Sequence, residues 1–173
     1  KPDKNFTKEI PFDNYIVIRP EAMDATYVKK GKSLVKELID IFSDNGYNIV
    51  FLPRNDSYRY LSGKDNLFIP QKPMNGLDLC YHAEAVLTGS GTLAREAACL
   101  GIPAVSFYPS YLLAVDESMI DKGWVFHSRQ ISKIYDYVLK SKKNTNRIKD
   151  SFYSQSIFLN LLKTNLKKLE KNV

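Results

Sequence analysis

The chain has 173 residues, of which 44% are hydrophobic and 25% are charged, the composition of a folded domain large enough to bury a core. No apolar run approaches the roughly 18 residues that a membrane span requires, and residues 1–14 lack the apolar core of a signal peptide. We therefore expect a cytoplasmic protein without a membrane span. Cys80 and Cys99 lack metal-ligand spacing, which predicts reduced thiols and no metal site.

The net charge of +6 raises the question of nucleic-acid binding. The basic residues concentrate in two stretches, 140–149 and 163–171, which both read as helix or linker. A basic patch indicates nucleic acid only when aromatic platforms or a groove-reading element accompany it. Neither accompanies these stretches, so we interpret them as solvated surface and expect no nucleic-acid partner.

The sequence divides into three parts. Residues 1–14 are polar, contain two prolines and begin with Lys rather than Met, which predicts a linker from a missing N-terminal domain. Residues 15–143 alternate apolar runs with helical patterns and form the predicted domain. Residues 144–173 are basic and amphipathic, and we expect a helical extension that packs on this domain or on another.

The alternation predicts an α/β fold. Short apolar runs predict buried parallel strands at 15–18, 48–52, 67–69, 85–87, 104–107 and 124–126. Helical periodicity predicts helices at 31–45, 74–82, 92–100, 112–122, 130–140 and 147–169, with a polar loop at 55–64. Right-handed crossovers then give a Rossmann-like parallel sheet of about six strands with helices on both faces.

The loop between the fourth strand and its helix reads Thr-Gly-Ser-Gly-Thr and is the best candidate for a ligand site. Gly89 and Gly91 permit close backbone approach, and Ser90 and Thr92 can cap the helix or donate hydroxyl groups. The N-terminus of a helix also attracts phosphate. A tight turn with a capping serine explains the same residues, and the motif alone does not decide between the two.

Two further residues are candidates at the same edge of the sheet. Glu96 lies one helical turn beyond Thr92, where its carboxylate could accept hydrogen bonds from a ribose diol, or it is an ordinary helix residue beside a solvent-facing Arg95. Arg19 ends the first strand and could neutralise a phosphate, or it pairs with a nearby acid.

Other polar residues give weaker signals. Asp116 could meet a sugar or simply start a helix, and His82 and His127 lack a nucleophilic or acidic partner at recognisable spacing. A nucleotide-hydrolysing lysine loop, a nucleophile elbow and the nicotinamide dinucleotide fingerprint are all absent from the sequence. Hydride transfer is therefore not expected.

The stretch 83–107, with the preceding residues 70–74 and 77–81, resembles the C-terminal nucleotide-binding half of GT-B proteins. The likeness spans 15–139 and is greatest to nonhydrolysing UDP-N-acetylglucosamine 2-epimerases and to an uncharacterised archaeal and bacterial family related to them. It implies that UDP or a UDP-sugar is the substrate, with no cofactor. By this resemblance the diphosphate is bound by Arg19, Ser90, Gly91 and Thr92, the ribose by Glu96, and the base by Ile69, Pro70 and Met74.

The sequence also departs from the epimerases. Their His-Arg-Arg-Glu run is replaced here by Arg-Pro-Glu-Ala at 19–22, and their Thr-Glu-Arg-Pro segment is missing after the fifth strand. These departures affect the epimerase reaction and leave nucleotide binding intact. The resemblance thus implies a donor-binding domain of a transferase or epimerase relative whose catalytic residues are unknown, and the alternative is a binding or assembly module without catalysis.

Overall fold

A computed structural model of the chain describes residues 3, 5–23, 32–55, 58, 63–144 and 146–170. Most of the predicted loop at 55–64, the start of the predicted linker and Lys171 lie outside the described residues. Six strands are present in the described part: β1 (Ile16–Arg19), β2 (Ile49–Phe51), β3 (Leu67–Phe68), β4 (Ala85–Thr88), β5 (Ala104–Ser106) and β6 (Val125–His127). The helices are α1 (Val35–Asp44), α2 (Gly76–His82), α3 (Gly91–Cys99), α4 (Ala114–Asp121), α5 (Ile131–Lys140) and α6 (Asn146–Glu170), preceded by a 3-10 turn (Phe6–Glu9).

All strand pairs are parallel, and their order is β3-β2-β1-β4-β5-β6. The predicted fold class, a Rossmann-like parallel sheet with helices on both faces, is confirmed. The chain winds outward from β1 in one direction to β3 and in the other from β4 to β6. Its topological switch point therefore lies between β1 and β4, where Arg19 pairs in register with Thr88.

Side chains alternate between two cores because successive residues of a strand point to opposite faces. On β1, Val17 joins the core under α2, α3 and α4, whereas Ile18 joins the core under α1 and α5. Both residues are fully buried, as expected for a central strand of a parallel sheet. Arg19, two residues after Val17, continues on the α2 and α3 face.

The segment before β1 contacts the domain directly. Phe6 and Ile10 are buried in the core under α2 and α3, and the Phe6 ring stacks on His82 with a centroid distance of 6.2 Å. The Asp3 amide donates a 2.8 Å hydrogen bond to Asp78 Oδ1. Part of the sequence predicted to be a linker thus supplies two core side chains.

Helix α6 is held at its start and exposed beyond it. Arg147 lies 5.4 Å from the centroid of the Trp124 ring, and Asn144 donates a 2.7 Å backbone hydrogen bond to Gly101. Residues 155–166 are all exposed. An apolar stripe on this helix is formed by Tyr153, Ile157, Phe158, Leu161, Leu162 and Leu166. In the described part of the chain no helix is both long and apolar enough to cross a bilayer.

Candidate functional site

A cavity of about 490 Å³ opens at the carboxyl edge of the sheet beside the first turn of α3. Ligands of open parallel sheets bind at this edge, next to the switch point. Its walls come from the loops after β1, β2, β4 and β5 and from the start of α4. The lining residues are Ala22, Arg54, Gly89, Ser90, Gly91, Thr92, Arg95, Ser106, Tyr108, Ser110, Tyr111, Leu112, Leu113 and Asp116.

Gly89 is glycine because the loop after β1 packs directly against it. A Cβ at this position would lie 2.5 Å from Glu21 Cα and 2.7 Å from Glu21 N. The Gly89 amide donates a 3.0 Å hydrogen bond to the Arg19 carbonyl, which fixes the loop after β4 to the end of β1. The two loops at the switch point thus form one closely packed unit.

The first turn of α3 offers free backbone donors. The prediction that Ser90 caps the helix with its hydroxyl is wrong: the Ser90 side chain forms no cap hydrogen bond, and its amide instead donates a 2.9 Å bond to Thr88 Oγ1. Among the described residues, no acceptor is found for the N–H groups of Gly91 and Thr92. These donors carry the partial positive charge of a helix N-terminus and border the cavity.

Arg95 and Asp116 lie over this helix start. Arg95 Nη1 donates a 2.7 Å hydrogen bond to Asp116 Oδ1, and the two side chains are 25% and 15% exposed. A Cβ at Gly91 would lie 3.1 Å from Arg95 Nη1 and 3.4 Å from both carboxylate oxygens. The expectation that Arg95 faces solvent is therefore wrong, because the start of α4 places an acid within its reach.

Asp116 does start a helix, as one of its two predicted roles required. It lies in the first turn of α4, and its carboxylate accepts a 3.4 Å hydrogen bond from the Leu113 amide. It also lines the cavity. One carboxylate thus contacts the start of α4, the Arg95 guanidinium and the space above α3.

Neither Arg19 nor Glu96 is among the described residues that line the cavity. Glu96 lies on the α2 side of α3, within electrostatic reach of Arg19. Partial burial, followed by the positive charge of Arg54, lowers the pKa of Arg19, whereas Glu96 acts in the opposite direction. Glu96 Oε2 would lie 4.0 Å from a Cβ at Gly76, the first residue of α2. Within the described part of the chain, Arg19 forms no salt bridge.

The three residues predicted to line the base are divided between two places. Pro70 and Met74 line a second cavity of about 230 Å³, together with Phe68, three neighbouring loop residues and Glu9 from the segment before β1. Ile69 packs instead against the core under α1 and α5. This second cavity lies beyond β3. Met74 precedes Gly76 by two positions in the sequence, and Glu96 lies beside Gly76 in the structure.

Sequence reasoning missed a buried ion pair behind the cavity. The Glu21 carboxylate is fully buried and accepts hydrogen bonds from Ser33 Oγ at 2.8 Å, Leu34 N at 3.2 Å and Arg129 Nη1 at 3.1 Å. Arg129 also donates to the carbonyls of Phe107 and Lys32, at 2.6 and 2.8 Å. The pair therefore ties the loop after β1 to the loops after β5 and β6 and to the start of α1.

Arg54 lies in the segment 53–55, which the sequence places at the ligand-binding edge of the sheet but to which it assigns no role. It follows β2, its Nε donates a 2.9 Å hydrogen bond to the Pro20 carbonyl, and it lines the main cavity. Its position just beyond a strand end, after Pro53, was the available signal. The sequence favours Arg19 as the phosphate-neutralising residue because Arg19 ends a more central strand.

His127 lies at the end of β6, beside Ser106. Its Nδ1 is buried and has no hydrogen-bond partner among the described residues. Burial lowers the pKa of His127, and the charge of Arg129 acts in the same direction, whereas a Ser106 backbone hydrogen bond and Asp116 oppose it. In the residues that the structure describes, no group of three or more metal-ligating side chains is found.

Comparison with known proteins shows which family the chain belongs to. Residues 4–163 match a family described as "Protein of unknown function (DUF354)". The chain belongs to this family. The uncharacterized protein MJ0665 of Methanocaldococcus jannaschii is 31% identical to this chain over 127 residues, which are 73% of this chain and 37% of that protein.

Solved structures show the same fold. The UDP-GlcNAc 2-epimerase of M. jannaschii matches with a TM-score of 0.62 and 19% identity, over 80% of the DUF354 chain and 42% of the enzyme. The same enzyme in complex with UDP-GlcNAc and UDP gives a TM-score of 0.60 at 18% identity, over 82% of this chain and 43% of that one. The calicheamicin glycosyltransferase CalG4 gives 0.55 at 17% identity, over 87% and 40%.

These matches show a partial GT-B-like fold, which confirms the resemblance inferred from residues 83–107. The chain spans about two fifths of the length of the relatives that it matches.

Proposed function

We propose that this chain is the nucleotide-sugar-binding domain of a GT-B-like glycosyltransferase or epimerase-related protein, and that its ligand is a UDP-sugar. The observation that carries the proposal is the pair of N–H groups at Gly91 and Thr92, which have no acceptor in the described part of the chain and border a cavity at the switch point. Such donors at a helix N-terminus bind phosphate groups. The epimerase neighbour crystallised with UDP-GlcNAc and UDP supports a UDP-linked ligand.

The order of the candidate subsites along the sheet edge supports this assignment. The cavity lined by Pro70 and Met74 follows β3, Glu96 lies beside Gly76, and the cradle formed by Gly91 and Thr92 follows β4. Base, ribose and diphosphate are joined in that same order in UDP. A single extended ligand would therefore reach all three subsites without folding back on itself.

Each predicted residue has a defined role in this proposal. Ser90, Gly91 and Thr92 bind the diphosphate through backbone N–H and hydroxyl groups, and Arg19 adds positive charge from the end of β1. Glu96 accepts hydrogen bonds from the ribose hydroxyls, and the loop at 69–74 contacts the base. Charge that develops on a departing diphosphate would be stabilised by fixed donors rather than by a metal.

The reaction itself requires residues outside this domain. The GT-B-like relatives are more than twice as long as the aligned segment. We infer that a second domain of the same protein covers the cavity and supplies the acid and base groups. The lining residues Tyr108 and Ser110 to Leu113, which follow β5, would then face the sugar.

Isothermal titration of the chain with UDP and UDP-GlcNAc tests the proposal. We expect saturable binding of both ligands with one site per chain. Titration with GDP controls for recognition of the base, since a site built for uracil binds it more weakly. Absence of heat with both uridine nucleotides, in a protein that melts cooperatively, would refute the proposal.

The exposed apolar stripe of α6 favours a second candidate, a non-catalytic assembly module. Contiguous apolar surface of this kind marks interaction sites, and each of the six side chains of the stripe is at least 43% exposed. Light scattering distinguishes the two functions in combination with the titration. Association through α6 without any nucleotide binding would favour the assembly module.

A further inference from the structure

Among the described residues that line the main cavity, Arg54 contributes the positive charge that no other lining residue balances. The charged lining residues are Arg54, Arg95 and Asp116. Arg95 and Asp116 form a 2.7 Å ion pair, so their charges largely cancel within the cavity. The wall therefore has a net positive charge that comes from Arg54.

The structure also holds Arg54 in place. Its Nε donates a 2.9 Å hydrogen bond to the Pro20 carbonyl, in the loop that leaves β1 at the switch point. This bond uses one of the five N–H donors of the guanidinium, and the planar group suits bidentate contacts with phosphate oxygens. Anchored in this way, the side chain loses less conformational entropy when it binds a ligand.

The position of Arg54 within the sheet is between two proposed subsites. It follows β2, whereas the cavity lined by Pro70 and Met74, here called the base cavity, follows β3 and the α3 cradle follows β4. In the strand order, β2 is separated from β4 by β1 alone, a distance of roughly 10 Å between the strands. An arginine at this place meets a ligand that extends from the base cavity to the cradle.

We propose that Arg54 binds the phosphate nearest the ribose, while the first turn of α3 binds the distal phosphate. This inference rests on the proposed function, because it assigns the two phosphates of one diphosphate to a guanidinium group and to a set of backbone N–H donors. The charge of Arg54 also lowers the pKa of Arg19, so the two guanidinium groups repel each other across the end of β1. A phosphate between them relieves this repulsion.

Titration of the 173-residue chain with UDP, UMP and uridine tests the proposal in the wild type and in R54Q. We expect R54Q to weaken UDP and UMP by the same factor, about tenfold, because each loses the same charge-assisted contacts. Uridine affinity should not change. R54K keeps the charge but loses the Nε hydrogen bond and the two-pronged geometry of the guanidinium. Its affinities for UDP and UMP should therefore lie between those of the wild type and R54Q.

K140Q is the matched control, since it removes one positive charge from the end of α5, outside the cavity lining. We expect it to leave all three affinities within about twofold, as for a distant surface charge. An R54Q variant with wild-type UDP affinity would overturn the role of Arg54 while the proposed function stands. If R54Q weakened uridine binding by the same factor as UDP binding, the role of Arg54 would also be overturned, because that result indicates that the loop after β2 is displaced. A wild type that binds neither UDP nor UMP would overturn both.

Discussion

Gly89 illustrates how a single residue determines the shape of the candidate site. Its α-carbon faces the backbone of Glu21, and the space for a side chain is filled by main-chain atoms that cannot rotate away. Glu21 itself is held by Ser33, Leu34 and Arg129. The position of the loop that leads into the α3 cradle therefore depends on how the buried Glu21 carboxylate is held in the neighbouring loop.

We predict that Gly89→Ala destabilises the fold by about 1–3 kcal/mol, the usual cost of forcing atoms into a filled space. The new Cβ would lie 2.5 Å from Glu21 Cα. Gly76→Ala is the matched control, because its Cβ would meet only Leu93 Cδ1 at 3.8 Å and Glu96 Oε2 at 4.0 Å. Urea unfolding of both variants measures the difference, and equal stabilities would contradict the packing described for Gly89.

His127 predicts a pH dependence of stability. Burial lowers its pKa from the ordinary value of about 6.5, so the unfolded chain takes up the proton more readily than the folded one. The contribution of His127 is therefore present above about pH 6.5 and is lost as the pH falls through the lower pKa of the folded state. Between pH 7.5 and pH 5.5, the free energy of unfolding should fall more in the wild type than in His127→Gln.

Chemical denaturation at the two pH values provides this measurement. A larger loss of stability in the variant than in the wild type would show that the pKa is shifted in the opposite direction.

At the level of elements, the strands could be predicted because each is a short apolar run, and most are followed by Pro or Gly. The cradle could be located as well, since Gly-Ser-Gly-Thr joins a strand to a helix. The N-cap hydrogen bond at Ser90 could not be predicted. Ser90 can form a hydrogen bond either with the first turn of the helix or with Thr88, and local sequence does not decide between the two. The Glu21–Arg129 pair was also hidden, since 108 positions separate its partners.

Most of helix α6 lies outside the core of the domain. Its start is fixed by Arg147 and Asn144, but residues 155–166 are exposed throughout. We predict that removal of residues 155–173 changes the free energy of unfolding of the domain by less than about 1 kcal/mol, as for other surface changes without buried contacts.

The same truncation should reduce self-association, because it removes most of the apolar stripe. Thermal melting and light scattering at several concentrations check both effects. A loss of cooperative melting after truncation would show that α6 stabilises the domain, contrary to its exposure.

At the level of the whole molecule, the DUF354 chain combines a GT-B-like sheet with a set of cationic and donor groups along one edge. The base cavity, the Arg19–Glu96 region and the α3 cradle follow one another across β3, β2, β1 and β4. The buried Glu21–Arg129 pair holds the loops behind them. This arrangement supports the proposed nucleotide binding, in which the chemical step would use residues beyond the domain.

Backbone amide NMR during a UDP titration tests this account most directly. We predict that the largest shift changes occur at the amides of Gly91 and Thr92, saturate with UDP, and are reduced in Gly91→Ala, whose Cβ would lie 3.1 Å from Arg95 Nη1 and occupy the cradle. Saturable changes elsewhere, with the Gly91 and Thr92 amides unmoved, would contradict the assignment of the α3 N-terminus as the diphosphate site.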